Sequence, residues 1–178
     1  MLYTKKGDNG LTTLFSCSKK FSKGSARIEA LGALDELNSL LGFCKTKATE
    51  IESPFGDSIS KHLESVQNDL FVIQAEVAGA KKKLNKKRIN EVEKLINKIA
   101  KELVPFSGIK SFTISGGTEL SALLDYSRAV ARKAERRCVA IKKHLSPQSL
   151  KYLNRLSSLL FALARLANKG IKEKKPKY

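Results

Sequence analysis

The sequence contains no tryptophan, only two histidines and three cysteines, and half as many acidic as basic residues. Cys17, Cys44 and Cys138 are odd in number, lie far apart and form no CxxC pair. This pattern indicates reduced thiols that behave as small core residues, not a disulfide framework or a zinc site. With His62 and His144 as the only imidazoles, a transition metal held by the protein is not expected.

Long apolar runs are also absent. None approaches the roughly 18 consecutive apolar residues of a membrane-spanning helix, and residues 1–8 resemble neither a signal peptide nor a transit segment. We therefore expect a cytoplasmic protein with no membrane partner. Its 178 residues fit one domain with a substantial core.

The shortage of acids leaves a net charge of +17, which two kinds of surface could explain. Lysines dominate residues 81–88, 142–143 and 172–177, and lysine runs are usually solvated surface. Five arginines instead fall between residues 128 and 155. Clustered arginine suits planar recognition of phosphate or carboxylate.

Apolar spacing predicts five helices joined by short connections. Residues 27–45 carry a helical pattern, and heptad-like stripes run through 59–77 and 89–103. Thr118 is positioned to cap a fourth helix that ends near Lys143. Pro147 favours the start of a fifth, which Gly170 would end.

No convincing strand alternation is present, so we expect an all-α five-helix bundle in a single domain. The predicted domain spans residues 1–170, with 1–25 forming an irregular N-terminal loop. Residues 171–178 are expected to be a charged, mobile tail.

The first candidate site is the segment from Thr4 to Thr13. Its glycines allow backbone N–H groups to approach an anion, its lysines supply charge, and Asp8 could hold Mg²⁺ through water. It is neither a Walker A loop nor a dinucleotide fingerprint. Taken alone, it could also be an ordinary polar turn.

The second candidate is one face of the fourth helix, which carries Arg128, Arg132, Glu135 and Arg136 beside the apolar face. Glu135 lies between the arginines and could hold their guanidinium groups in place. The face could be an anion clamp, or a solvated surface with intrahelical ion pairs.

Polar residues interrupt two otherwise apolar helices: Asp35 and Asn38 in the first, Asn154 and Arg155 in the last. A buried acid or amide needs a partner. Asp35 could pair with an arginine such as Arg128, within the chain or across a subunit boundary. A satisfied polar layer that sets helix register is an equal alternative.

Six segments, in order, resemble the ATP:cob(I)alamin adenosyltransferases of the PduO type. They span roughly residues 3–166, and each alone is a weak signal. The segments are 3–10, 27–39, 67–71, 116–117, 128–137 and 152–157. Two positions depart from the family pattern: Ser158 stands where an aspartate is expected, and Ser115 where a proline is expected.

The resemblance implies a homotrimeric five-helix bundle with ATP bound between subunits. It assigns Asp35 and Arg128 to a pair that links neighbouring subunits, and it places Phe112 near the lower face of the corrinoid. The residues that match its ATP site are Thr4, Lys5, Lys6, Gly7, Thr12, Thr13, Lys23, Arg132, Lys133, Glu135, Arg136 and Asn154.

The same resemblance implies the reaction and its participants. Co(I) of a cobalamin attacks the 5′ carbon of ATP and expels triphosphate, with Mg²⁺ and the site's cations stabilising the leaving group. Lys5, Lys6, Arg132 and Arg136 are the cations that suit this task. The expected catalytic residues are Arg132, Arg128, Asp35 and Phe112. A reductase and an adenosylcobalamin-dependent acceptor enzyme are the expected protein partners.

Two other classes of protein remain as alternatives. A nucleotide-sensing or scaffold trimer of the same fold would bind ATP without turnover. A basic helical protein that binds nucleic acid would explain the net charge but not the ordered segments. It would also be expected to alternate basic and aromatic residues, whereas aromatic residues make up only 7% of the chain.

Overall fold

The computed structural model describes residues 3–15, 17–51, 54–103, 113–171 and 174–177, and these contain five α-helices. The predicted all-α bundle is confirmed. The helices are α1 (Ala26–Thr49), α2 (Pro54–Ala78), α3 (Lys86–Leu103), α4 (Glu119–Ala140) and α5 (Pro147–Ala167).

The bundle core is built from the apolar stripes seen in the sequence. In α2 the stripe from Ile59 to Val77 is buried at every position, and in α3 Ile89, Val92, Ile99 and Leu103 are buried. Burial of one stripe per helix supplies the main stabilisation of such a bundle. No helix among the described residues is long and apolar enough to cross a membrane.

Helix α1 packs between α2 and α4, and α5 packs against α3 and α4. Polar contacts show that α1 and α4 are antiparallel. Lys47 lies 3.5 Å from Glu119 at one end of the pair, and Arg137 lies 3.9 Å from Glu29 at the other. The start of α1 and the end of α4 therefore share one end of the bundle.

The two predicted helix starts are confirmed. The Thr118 hydroxyl accepts a hydrogen bond from the Ser121 N–H at 3.1 Å, and the Ser146 hydroxyl accepts one from the Ser149 N–H at 3.3 Å. Each cap satisfies an N–H that has no partner within its helix.

The glycine turn before α4 is held by a side chain from the end of α5. Asn168 accepts a hydrogen bond from the Thr118 N–H at 2.9 Å and donates one to the Gly116 carbonyl at 2.8 Å. Gly117 has φ +99°, and a Cβ there would collide with the Asn168 amide. This tie supports the turn in which Ser115 replaces the expected proline.

The prediction that residues 1–25 lack regular structure is wrong in part. Strands β1 (Leu11–Thr13) and β2 (Lys20–Ser22) form an antiparallel hairpin with Thr12 opposite Phe21. Three-residue strands are too short to show an alternation pattern, which is why the sequence did not reveal them. The hairpin precedes α1 and lies at the bundle end that carries the end of α4.

Candidate functional site

The N-terminal segment folds through a series of tight turns. Asp8 N–H donates to the Lys5 carbonyl at 3.3 Å, and Gly10 N–H donates to the Gly7 carbonyl at 3.1 Å. Lys23 N–H then donates to the Gly10 carbonyl at 2.9 Å, which ties the segment to the residue after β2. Lys5 adopts φ +58°, a left-handed conformation uncommon for lysine and more often found at functional sites.

These turns and the hairpin enclose a cleft of about 650 Å³. It gathers all seven N-terminal residues that the sequence singled out for ATP. The lining residues are Thr4, Lys5, Lys6, Gly7, Asp8, Leu11, Thr12, Thr13, Lys20 and Lys23. Four of them are lysines and one is an acid, so the cleft is strongly cationic.

Lys20 is a lining residue that sequence reasoning missed. It enters the cleft because β2 pairs with β1 in a register that places Lys20 opposite Thr13. Nothing in the sequence indicated this role, because the strand that carries Lys20 was not predicted.

Gly7 has a packing role in the cleft. A Cβ on this residue would lie 3.0 Å from Lys23 Nζ, 3.2 Å from Lys23 Cε and 3.4 Å from the Leu11 carbonyl oxygen. The missing side chain is therefore what allows the Lys23 ammonium group to lie over the backbone of the turn.

The predicted arginine face is present on α4. Arg132 and Arg136 are exposed, and neither has an ion pair or hydrogen bond to any residue that the structure describes. Arg137 points elsewhere and lies 3.9 Å from Glu29. Exposed guanidinium groups without protein partners are available to an anionic ligand.

The prediction that Glu135 holds these arginines in place is wrong for the described part of the chain. Glu135 accepts a hydrogen bond from Asn154 Nδ2 at 3.0 Å, and Asn154 Oδ1 accepts one from Arg155 at 2.7 Å. The carboxylate turns toward α5 because the α4–α5 contact offers it an amide donor. Lys133 pairs with Glu36 of α1.

Asp35 and Asn154 are exposed on the single chain, so neither belongs to a polar layer buried within it. Of the polar residues that interrupt the two helices, Asn38 is buried, and its Oδ1 has no hydrogen-bond partner among the described residues. The α1 register turns Asp35 outward, because Leu34, Leu37 and Leu41 occupy the core-facing positions.

An Asp35–Arg128 pair within the chain is likewise not found. The nearest carboxylate to Arg128 is that of Asp125, whose Oδ1 lies 3.7 Å from Arg128 Nε, and Asp125 itself bonds Arg165 in the core. Arg128 Nε is buried and has no hydrogen-bond acceptor among the described residues. Phe112 lies outside the described residues.

The cleft and the arginine face are therefore two separate groups. Both belong to the bundle end where the start of α1 meets the end of α4, yet no residue of α4 or α5 lines the cleft. A ligand that contacts both groups needs a second copy of the chain or a rearrangement of the first.

The two buried thiols are poorly suited to act as thiolates. Burial raises the pKa of Cys44, although a hydrogen bond with Ser127 opposes the rise. Burial and the charge of Glu135 raise the pKa of Cys138 to about 12, so both thiols stay protonated. No cluster of three metal-binding side chains occurs among the described residues. The side chains that do come together in the cleft are lysines, which suit anion binding.

Known proteins are similar to this chain in sequence and fold. The family model for cobalamin adenosyltransferase matches residues 2–167. A corrinoid adenosyltransferase of Citrobacter freundii is 36% identical over 171 residues, which cover 93% of each chain. The corrinoid adenosyltransferase PduO of Salmonella typhimurium is 34% identical over 170 residues, but this chain spans only 48% of that longer protein.

A solved structure extends the likeness to three dimensions. It is that of a variant PduO-type ATP:corrinoid adenosyltransferase from Lactobacillus reuteri, complexed with cobalamin and ATP. The TM-score is 0.86 at 28% sequence identity, over 100% of this chain and 96% of the other. With the family model matched over nearly the whole chain, this protein belongs to the cobalamin adenosyltransferase family.

Proposed function

We propose that this protein transfers the 5′-deoxyadenosyl group of ATP to the cobalt of a corrinoid and releases triphosphate. Family membership supports the reaction. The observation that carries the proposal is the N-terminal cleft, in which four lysines face a single acid. The triphosphate of ATP is the part of the substrates that needs such a surface.

In the reaction, the electron pair of Co(I) attacks C5′ of ATP and forms the cobalt–carbon bond. The bond between C5′ and its oxygen breaks, and the electron pair leaves with the triphosphate. Because cobalt is the nucleophile, the protein needs no general base. Its work is to orient C5′ and to stabilise the charge that develops on the leaving group.

The cleft residues suit the phosphate end of ATP. Lys5, Lys6 and Lys23 supply charge, and Thr12 and Thr13 supply hydroxyl donors. The turn backbone around Gly7 can approach a phosphate oxygen closely. Arg132 and Arg136 add planar donors that a point charge cannot replace.

The site also suits a magnesium ion carried in with ATP. Asp8 is the one carboxylate among the residues that line the cleft. One carboxylate together with phosphate oxygens and water is a common environment for Mg²⁺. Bound there, the ion would offset phosphate charge, with Asp8 holding it through water.

We propose further that the complete site forms between subunits of a homotrimer. Three observations support a missing neighbour: the cleft and the arginine face are separate, Asp35 is exposed, and buried Arg128 Nε lacks an acceptor among the described residues. An ion pair between Asp35 of one subunit and Arg128 of the next would give both of these side chains a partner. Lys133, Glu135 and Asn154 would then border the nucleotide from the arginine side.

The remaining participants are proposed from the chemistry. Phe112 is assigned to the lower face of the corrinoid, where its ring would exclude a lower ligand from cobalt. A cytoplasmic reductase would supply the reduced corrinoid, and an adenosylcobalamin-dependent enzyme would receive the product.

A spectral assay tests the reaction directly. Purified protein is mixed with ATP, Mg²⁺ and chemically reduced cobalamin, and the absorbance of the corrinoid is followed. We expect ATP-dependent loss of the Co(I) spectrum, appearance of an alkylcobalamin and release of triphosphate. Binding of ATP without any alkylcobalamin would favour the nucleotide-sensing alternative.

A further inference from the structure

Seven exposed lysines lie in two connections and one helix start, and the proposed site uses none of them. We call this set the lysine pole. Among described residues, only Lys87 has an ion pair, with Glu91 at 3.9 Å. The members come from the α2–α3 and α4–α5 connections and the first turn of α3: Lys81, Lys82, Lys83, Lys86, Lys87, Lys142 and Lys143.

The first five lysines of the pole follow directly on a segment packed against the N-terminal hairpin. Arg27 Nε donates to the Val77 carbonyl at 2.7 Å, which fixes the end of α2 beside the start of α1. A Cβ on Gly79 would lie 3.3 Å from Arg27 Nη2 and 3.6 Å from the Phe15 carbonyl oxygen. The chain therefore leaves α2 against the hairpin that forms the cleft, two residues before Lys81.

The α4–α5 connection is brought to the same end by a buried hydrogen bond. The Ser146 N–H donates to Glu76 Oε1 of α2 at 2.7 Å, and Lys142 and Lys143 lie just before it in the sequence. Burial and the cations Arg27 and Lys143 lower the pKa of His144 in this turn. The acids nearby are engaged elsewhere, since Glu29 faces Arg137 and Glu76 is buried among serines.

Part of the lysine pole destabilises the start of α3. Helix α3 begins at Lys86-Lys87-Arg88 and has no acid in its first turn. Cations at a helix N-terminus face the positive end of its dipole and destabilise it. Arg88 is compensated by Asp69, whereas Lys86 has no ion pair among the described residues. The Asn85 side chain caps this turn by accepting a hydrogen bond from the Lys87 N–H at 2.9 Å, but the cap leaves the charge of Lys86 unopposed within the described chain. A local rule broken in this way is often found at functional positions.

From this geometry we propose that the lysine pole attracts ATP toward the N-terminal cleft. This inference rests on the proposed function, because it takes the cleft to be the ATP site. The lysines do not touch bound ATP. Their summed field raises the rate at which the anionic triphosphate reaches the cleft, and leaves its rate of departure unchanged.

Lysine is better suited to attracting ATP from a distance than to holding it in a fixed geometry. An ammonium group on a flexible stem is a point charge with no preferred planar partner, in contrast to arginine. Such a field acts over the Debye length, which is about 8 Å at about 0.15 M salt and about 30 Å at about 0.01 M. The contribution of the pole must therefore grow as salt is lowered.

The test compares two variants of equal charge. The first carries Lys81→Gln, Lys82→Gln and Lys83→Gln in the pole. The control carries Lys94→Gln, Lys98→Gln and Lys101→Gln, three exposed lysines farther along α3. Association and dissociation rates of ATP bearing a fluorescent ribose substituent are measured by stopped flow, and uncharged adenosine serves as a second ligand.

We expect the pole variant to lower the association rate about tenfold at about 0.01 M salt and less than about twofold at about 0.5 M. Dissociation, adenosine affinity and kcat at saturating ATP should stay at wild-type values. The control variant should change association much less.

Two results would overturn the inference. Equal association rates in the pole and control variants would show that position does not matter. Tight binding of duplex DNA by the pole, with ATP association unchanged, would assign the lysines to nucleic acid. Failure of the wild-type protein to bind ATP would instead overturn the proposed function, and the inference with it.

Discussion

At the scale of single residues, the proposed phosphate-binding groups differ in how much the fold depends on them. Arg132 and Arg136 are exposed and have no partners among the described residues. Gly7 and Lys23, by contrast, are packed against each other. Substitutions at the two places should therefore separate loss of function from loss of structure.

Arg132→Lys should lower kcat/KM for ATP by about 10- to 100-fold, because an ammonium group cannot reproduce a planar pair of donors. The melting temperature should stay near that of wild type, since the side chain has no partner to lose within the described chain. Steady-state kinetics and a thermal melt check both. Wild-type kcat/KM in this variant would remove Arg132 from the clamp.

Gly7→Ala should displace the Lys23 ammonium group and weaken ATP binding, by an amount comparable with Lys23→Ala. The double variant should be little worse than either single one, because both act through the same cation. Calorimetric titration with ATP measures the three affinities. Independent, additive losses would mean that Gly7 acts on the backbone and not through Lys23.

At the scale of elements, one polar network joins three helices inside the bundle. Arg88 of α3 donates to Asp69 of α2, and the Tyr152 hydroxyl of α5 donates to Asp69 Oδ2 at 2.8 Å. The hydrogen bond to Asp69 raises the pKa of Arg88. Burial, followed by the charge of Asp69, raises the pKa of Tyr152. The network sets the register of α2, α3 and α5 away from the candidate site.

Arg88→Ala should lower the free energy of unfolding by about 2–4 kcal/mol, because Asp69 is only 7% exposed and would lose its counter-charge. The loss should be smaller than for a fully buried pair because the Arg88 side chain is 30% exposed and partly screened by solvent. Tyr152→Phe removes one hydrogen bond and should cost about 1 kcal/mol. Urea unfolding measures both. A smaller loss in Arg88→Ala than in Tyr152→Phe would contradict this view of the network.

Tyr152 should also make the protein sensitive to alkali. The unfolded tyrosine ionises near about pH 10, whereas the native one stays protonated because its pKa is raised. The unfolded state then binds fewer protons than the native state, so stability falls by about 1.4 kcal/mol per pH unit above about pH 10. The difference between wild type and Tyr152→Phe in urea unfolding at pH 9 to about 11 isolates this effect. No difference in slope would contradict it.

At the scale of the whole molecule, the separation of the cleft from the arginine face favours assembly. A subunit alone presents exposed Asp35 on α1 and a buried guanidinium nitrogen of Arg128 without an acceptor among the described residues. A buried donor of this kind is costly unless it is paired.

Asp35→Ala and Arg128→Ala should each weaken the proposed homotrimer and lower activity. If the residues pair across subunits, the double variant should show a coupling energy of about 1–3 kcal/mol. Sedimentation equilibrium measures the dissociation of the trimer. Glu64→Ala, which removes an exposed acid from α2, serves as the control. A fully active monomer would contradict a site shared between subunits.

The sequence by itself determined the helices, two of their starting residues and the composition of the proposed ATP segment. Each of these depends on near neighbours along the chain: apolar spacing within 59–77, the cap at Thr118, and the glycines and lysines between residues 4 and 13. The order of six such segments was enough to identify the family. Such local patterns predict structure well because the apolar stripe of each helix is the face that packs into the core.

Only the tertiary structure decided which distant groups meet. It placed Lys20 in the cleft through strand pairing, turned Glu135 toward Asn154, exposed Asp35 and set the end of α2 beside the hairpin. None of these follows from spacing, because each depends on packing between elements far apart in the chain. A charged side chain takes the partner that the assembled bundle offers, and that partner is set by how helices cross and strands pair.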